Sequence, residues 1–384
     1  MSEGIGTRGD TAVAGTEVAT DVAGTGMGMD AAGTWARAEA AGTRMCAEAA
    51  GAGVGGGCGM WVSSAPLRVS LAGGGTDLPG YATRFGGTVF GAATDLRVTV
   101  MGRRARRASG IRVCLDSCGH AESAEELANP FAREALRRHW DGTPLDLFSS
   151  GDVPVATGMG SSAAFCVCLV AGLSGTPLDA PALARAASDI EIEGLGRPVG
   201  RQDHYLSALG GFRLLHFHRD GGVEVEDIDV PPEHMRGLGA ELLLFHTGTS
   251  RDAGAVLSEQ ADGTERGDRD TTHRLHEIKE LTTPLQEAVV QGRFTEVGRL
   301  LGRHWELKRG LGARVSLPRV DRAYDDALAT GATGGKLLGA GGGGFLLLHV
   351  PLAGQDRVRE VLAAHGMPEQ PFAFDARGAV LHAL

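Results

Sequence analysis

The stretch 154-PVATGMGSSAAF-165 sets a proline, a Gly-x-Gly turn and two serines directly before a run of small apolar residues. Upstream, 145-LDLFSS-150 reads as a strand, and downstream 161-SSAAFCVCLVAGL-173 reads as a buried helix. A strand that enters a glycine turn and then a helix leaves main-chain N–H groups unpaired at the positive end of the helix dipole, which makes an anion site. Gly158 and Gly160 let phosphate oxygens approach the backbone, with Met159, Ser161, Ser162 and Ala163 completing the cradle. A Walker loop would end in Gly-Lys-Ser/Thr, but here Gly160 is followed by serines, so this is not a P-loop NTPase. A serine hydroxyl can instead ligate Mg²⁺ held between two phosphates. Taken alone, the stretch has a plainer alternative, a Gly/Ser turn capping a core helix.

Working outward, the 384 residues suffice for two domains with their own cores. Formal net charge is −10 and the pI about 5.7, so no electrostatic footprint for nucleic acid is present. No apolar run reaches the roughly 18 residues of a membrane span, and no signal peptide is expected. The 6 cysteines are too irregular for a disulfide scaffold. Cys114-x3-Cys118 has no second pair to complete a zinc site, so free thiols in a reducing cytoplasm are expected. Residues 1–60 are Ala/Gly/Thr-rich without apolar periodicity and predict a disordered tail, with Met60 as an alternative initiator.

Order is expected from 65-APLRVSLAGGGTDL-78, where Leu67, Val69 and Leu71 alternate as in a half-buried strand. Further strands are read at 87–95, 96–102, 241–248 and 344–350. Helices are read at 131–140, 181–196, 271–292 with a break near Pro284, 294–311, 319–331 and 355–366. Helices alternating with mixed strands favour an α+β class, with a boundary near the paired prolines of 228-IDVPPEHMRGLG-239.

The combination of 65-APLRVSLAGGGTDL-78, 154-PVATGMGSSAA-164 and 336-KLLGAGGGGF-345 resembles the three motifs of the GHMP kinases, named for galactokinase, homoserine kinase, mevalonate kinase and phosphomevalonate kinase. The likeness spans residues 65–384. GGGTDLPGY, GRQDHYLSALGGF, TGTSRDA, HWELKRGL and GGKLLGAGGGGFLLL narrow it to bacterial D-glycero-D-manno-heptose 7-phosphate kinases.

The resemblance implies two domains: a ribosomal-protein-S5-domain-2-like N-terminal ATP-binding domain over 61–232 and a ferredoxin-like C-terminal domain over 233–384. It implies an ATP- and Mg²⁺-dependent cytoplasmic kinase that phosphorylates the anomeric hydroxyl of a heptose 7-phosphate. Its partners would be small molecules, neither nucleic acid nor membrane. Asp203 falls at the family's catalytic aspartate, as base or orienting group, with capping of the helix near His204 as its plain alternative. Arg68 falls at the basic residue of the first strand, where a permanent cation lowers the hydroxyl pKa. Ser162 and Glu191 match the Mg²⁺ ligands, with Glu193 as a competitor on another helix face.

Asp77, with Gly75 and Thr76, matches the sugar-holding segment; the plain alternative for Asp77 is an Asx turn before Pro79. Gly73, Gly74 and Gly75 depart from the Gly-Glu-His of galactokinases, which counts against galactose. The late loop 339-GAGGGG-344, with Gly341 and Gly342, is expected against phosphates and acceptor. Arg251 is the first choice to receive the acceptor's phosphate, ahead of Arg84, Lys308, Arg309 and Arg314. His204, His246 and His304 read as core or rim histidines. The rival readings are an anomeric kinase of an unphosphorylated sugar, like a fucokinase or galactokinase, and a non-catalytic sugar or nucleotide sensor. A dinucleotide-binding oxidoreductase is weaker still, because no strand precedes 55-GGGCGM-60.

Overall fold

The computed structural model describes residues 59–107, 109–249 and 253–384. The tail expected over 1–60 and Arg251 therefore lie, but for Gly59 and Met60, outside the described residues.

The first sheet is built from strands β1 (Met60–Ala72), β2 (Gly87–Arg104), β3 (Ile111–Cys114), β4 (Cys118–Ala121), β5 (Leu145–Gly151), β6 (Phe212–Phe217) and β7 (Val223–Asp227). The two strands expected at 87–95 and 96–102 are one. β2 is long enough to pair β6 through its first half and β5 through its second, while β1 runs antiparallel along its other side. Among the described residues only the β3–β5 pair is parallel, so the sheet is mixed. Register with β2 shifts between Pro66 and Arg68 and again between Ser70 and Ala72, as a proline without an N–H and a bulge require.

The cysteine expectation needs one correction. In the β3–β4 hairpin Cys114 and Cys118 face each other directly across the ladder and form a disulfide. Cys166 and Cys168 are buried free thiols, as expected, and burial pushes the Cys168 thiol up to about 12.

The helix Ser161–Leu173 lies under β1 and β2. Its residues are small because the contact is close. Gly172 and Gly102 together leave the slot that the Trp61 ring fills, since a Cβ at either would lie 2.2 Å from that ring. Its apolar residues join the core formed by Leu67, Val69, Leu71, Val89, Phe90 and Leu147.

β8 (Leu242–His246), β9 (Gly334–Leu337) and β10 (Phe345–His349) form a separate antiparallel sheet in the order β8-β10-β9. It packs on the helices Phe294–Arg309 and Pro318–Thr330 through Leu346, Leu348, Trp305, Val320 and Tyr324. The break in the 271–292 helix falls at Leu281, not Pro284. Pro284 sits in the first turn of the following helix, Thr282–Val290, where its missing N–H costs nothing. The chain then returns, and β11 (Val380–Ala383) pairs with β1 at the edge of the first sheet. No helix among the described residues is long and apolar enough to cross a membrane.

Candidate active site

Arg68 follows the register shift between β1 and β2 and stays opposite Ala93, while its N–H donates to Met159 O at 3.0 Å, which ties the strand to the glycine turn. The buried Arg68 guanidinium then donates through Nε and Nη2 to both Asp203 carboxylate oxygens, each at 2.6 Å, and through Nη1 to Gly158 O at 2.6 Å. Strand, phosphate turn and helix Gln202–Leu209 thus meet at one guanidinium. Asp203 lies in the first turn of that helix but makes no cap, because its carboxylate is turned onto Arg68.

These groups line a cavity of about 510 Å³. Gly158, Gly160, Ser161 and Ser162 border it, whereas Met159 and Ala163 are buried in the core and do not. Gly160 is the left-handed N-cap of Ser161–Leu173, and no side chain caps that helix. Its first amides therefore lack intrahelical partners next to the cavity, as an anion cradle requires. Gly160 also faces Asp203 and Arg68: a Cβ there would lie 3.3 Å from Asp203 Oδ2.

On the far side, Glu191 occupies a single π-turn, Ile190–Gly194, that follows helix Ala180–Asp189. It is buried, accepts from Arg197 at 3.0 Å, and lies 2.9 Å from His204 Nε2. Burial alone would raise its pKa; His204, Arg197 and the Ser162 hydroxyl outweigh that and hold the carboxyl below its ordinary value. A carboxylate and a hydroxyl in hydrogen-bond contact are hard oxygen donors, which fits a Mg²⁺ ion shared with nucleotide phosphates. Glu193 is exposed and turned toward Arg138, away from this pair.

The turn after β1, expected to hold the acceptor, also borders the cavity. Asp77 is buried and accepts from Gly75 N, Gln202 N and Gln202 Nε2, and not in the Asx turn that was its plain alternative. Burial first, then the charge of Asp203, pushes Asp77 up to about 6. Gly200 is required here, since a Cβ would lie 1.8 Å from Asp77 Oδ2. Gly75 reaches the cavity; Thr76 does not, because its hydroxyl closes the turn on Gly73 O and Thr88 O.

In the late loop Gly339 stacks on Gly158, with a Cβ at 339 only 2.4 Å from Gly158 Cα. Gly341 and Gly343 border the cavity, while Gly342 turns its N–H onto Val315 O. Arg84 donates to Thr264 O, Arg309 pairs with Asp321, and neither they nor Arg314 line the cavity; Lys308 does. Of the histidines, His204 and His304 line it, and His246 packs on Phe345. Sequence reasoning missed Gln202, Ser70 and Lys336 in the lining. A lysine opening the apolar strand 336-KLL-338 was the one available signal.

Residues 126–211 match the GHMP kinases N terminal domain and residues 285–366 the GHMP kinases C terminal domain. The chain carries both GHMP kinase domains. As such it is an ATP-dependent phosphotransferase with an alcohol group as acceptor. It is 28% identical over 330 residues to the D-glycero-alpha-D-manno-heptose 7-phosphate kinase of Campylobacter jejuni, covering 82% of this chain and 97% of that protein. It is 29% identical over 271 residues to the galactokinase of Streptomyces coelicolor, covering 61% and 69%. Among solved structures, this GHMP kinase shares its fold with a D-glycero-D-manno-heptose 1-phosphate kinase from Bacteroides thetaiotaomicron. The TM-score is 0.69 at 24% identity, over 84% of this chain and 98% of that one.

Proposed function

We propose that this GHMP kinase transfers the γ-phosphoryl group of ATP to the anomeric hydroxyl of a heptose 7-phosphate, giving a 1,7-bisphosphate and ADP. The observation that carries the reading is the Arg68–Asp203 fork, fixed to Gly158 O at the mouth of the phosphate turn. In the transfer, the acceptor oxygen forms the new bond to phosphorus as the bond to the β-phosphate oxygen breaks, and ADP leaves with that electron pair. Asp203 accepts the hydroxyl proton, and Arg68 offsets charge on the transferred group. Ser162 and Glu191 would hold Mg²⁺, which supplies neutralisation of the phosphates when bound. Asp77 and the Gly74–Gly75 segment beside it on the cavity would receive the ring hydroxyls. We further propose domains over 61–232 and 233–384.

Retention of Arg68, Asp203 and Glu191 in contact geometry argues against a sensor that binds without turnover. An ADP-release assay across heptose 7-phosphate epimers and free hexoses tests the acceptor. Turnover confined to free sugars overturns the heptose phosphate in favour of a fucokinase- or galactokinase-like activity.

A further inference from the structure

Lys308, Lys336 and His304 line the same cavity from the side of the second sheet. His304 and Lys308 stand one turn apart on a single face of helix Phe294–Arg309, and Lys336 comes from β9. All three are almost wholly buried. Lys308 Nζ donates to Leu337 O at 3.1 Å and Gly339 O at 2.5 Å. Lys336 Nζ has only longer contacts, Leu71 O at 3.3 Å and His304 Nε2 at 3.4 Å. Among the described residues no carboxylate pairs with any of them. The charges that act on the two lysines are Arg68 and, for Lys336, also Lys308; burial and this repulsion bring Lys308 down to about 7 and Lys336 well below its ordinary value.

Two further polar atoms lack a partner. His304 Nδ1 and Ser70 Oγ are buried, unbonded, and belong to cavity-lining residues. A buried amine without a counter-charge costs stability, either as an unpaired ammonium or through loss of its proton, and apolar side chains of similar volume would hold the fold better. A cluster kept at that cost needs an anion from outside the chain, and only the cavity is open to one.

We propose that Lys336, Lys308, His304 and Ser70 form a phosphoryl-binding subsite at the floor of the cavity. The group bound is a phosphate dianion, carried either by ATP as its terminal phosphate or by the acceptor. The inference rests on the phosphotransfer reading above, and its acceptor arm rests on the heptose 7-phosphate assignment. Lys336 is the discriminating residue because its donors are the least satisfied.

The test uses the full chain with Lys336→Met, and with Lys336→Gln, which keeps an N–H donor on a side chain one atom shorter and removes the titratable amine. Ligand-free thermal unfolding, its shift by inorganic phosphate, and KM for ATP and for D-glycero-D-manno-heptose 7-phosphate are measured. The expected result is an unchanged or higher ligand-free Tm, loss of the stabilisation that phosphate gives the wild type, and a KM raised at least tenfold for one substrate. The substrate whose KM moves is the source of the phosphate. A lower ligand-free Tm with phosphate stabilisation kept and both KM values within twofold marks a merely structural lysine and overturns the proposal. So does a wild type that phosphate does not stabilise, if both KM values are unmoved in the variants. Should heptose 7-phosphate prove not to be an acceptor, the function reading fails while the phosphate and ATP arms still read the subsite.

Discussion

Arg68 and Asp203, 135 residues apart in sequence, form a two-pronged ion pair with both donor–acceptor distances at 2.6 Å. Such a pair fixes the carboxylate's orientation as well as its charge. Asp203→Asn keeps the shape and removes the proton acceptor. Turnover is expected to fall by about 10²–10⁴-fold, while binding of a non-hydrolysable ATP analogue, measured by calorimetry, stays within a few-fold. Unchanged turnover would remove Asp203 from the chemistry.

Arg68→Lys retains the charge and loses the fork, including the bond to Gly158 O. A single ammonium cannot hold Asp203 and the phosphate turn together. Steady-state kinetics should show kcat reduced by about 10²-fold and KM for ATP raised as well. A variant with wild-type kcat would show that charge alone suffices.

Gly158 has φ +83°, and a Cβ there would lie 2.7 Å from Leu338 O, a backbone atom that cannot swing aside. Gly158→Ala should therefore separate the two glycine loops. Urea unfolding is expected to reveal a loss of about 2–4 kcal/mol from backbone strain plus overpacking, together with weakened ATP binding. Gly175→Ala, where nothing lies within 4 Å, is the control and should be near neutral.

Glu191→Gln leaves Arg197 and His204 without their carboxylate and Ser162 as the sole hard donor of the pair. The Mg²⁺ concentration for half-maximal activity should rise by about 10-fold or more. Glu193→Gln, altering an exposed side chain, should leave it unmoved.

Asp77 gives a pH signature. Its pKa in the folded protein, about 6, lies above that of an unfolded aspartate, so the folded state holds more protons between the two values. Stability is thus undiminished below about pH 4, falls as pH rises to about 6, and is level above it. The total is of order 2–3 kcal/mol. Tm measured against pH should show this descent in the wild type and a shallower one in Asp77→Asn. If ionised Asp77 receives acceptor hydroxyls, kcat/KM for the acceptor should also drop below about pH 6.

The phosphate turn and the helix behind it were legible because each rests on neighbours in sequence: glycine freedom at 158 and 160, and small residues from 161 to 173. The expected helix there matches Ser161–Leu173 residue for residue. The π-turn was not legible. The pattern over 181–196 reads as one helix, and only packing widens its last turn to bury Glu191. Thr76 and Gly342 carried the right motifs, yet their hydrogen bonds point them into the turn and onto Val315.

By itself the sequence determined the α+β class and the GHMP kinase motifs, and singled out Arg68, Asp203, Glu191 and Ser162 as candidates, since these depend on local propensity and on strings that survive as strings. Tertiary structure alone decided what touches what: that Asp203 binds Arg68 instead of capping, that Cys114 meets Cys118, and that Lys336 joins Lys308 and His304 without a counter-charge. The reason is that charge compensation and burial depend on distance in space, and strand register and helix packing set that distance for residues far apart along the chain.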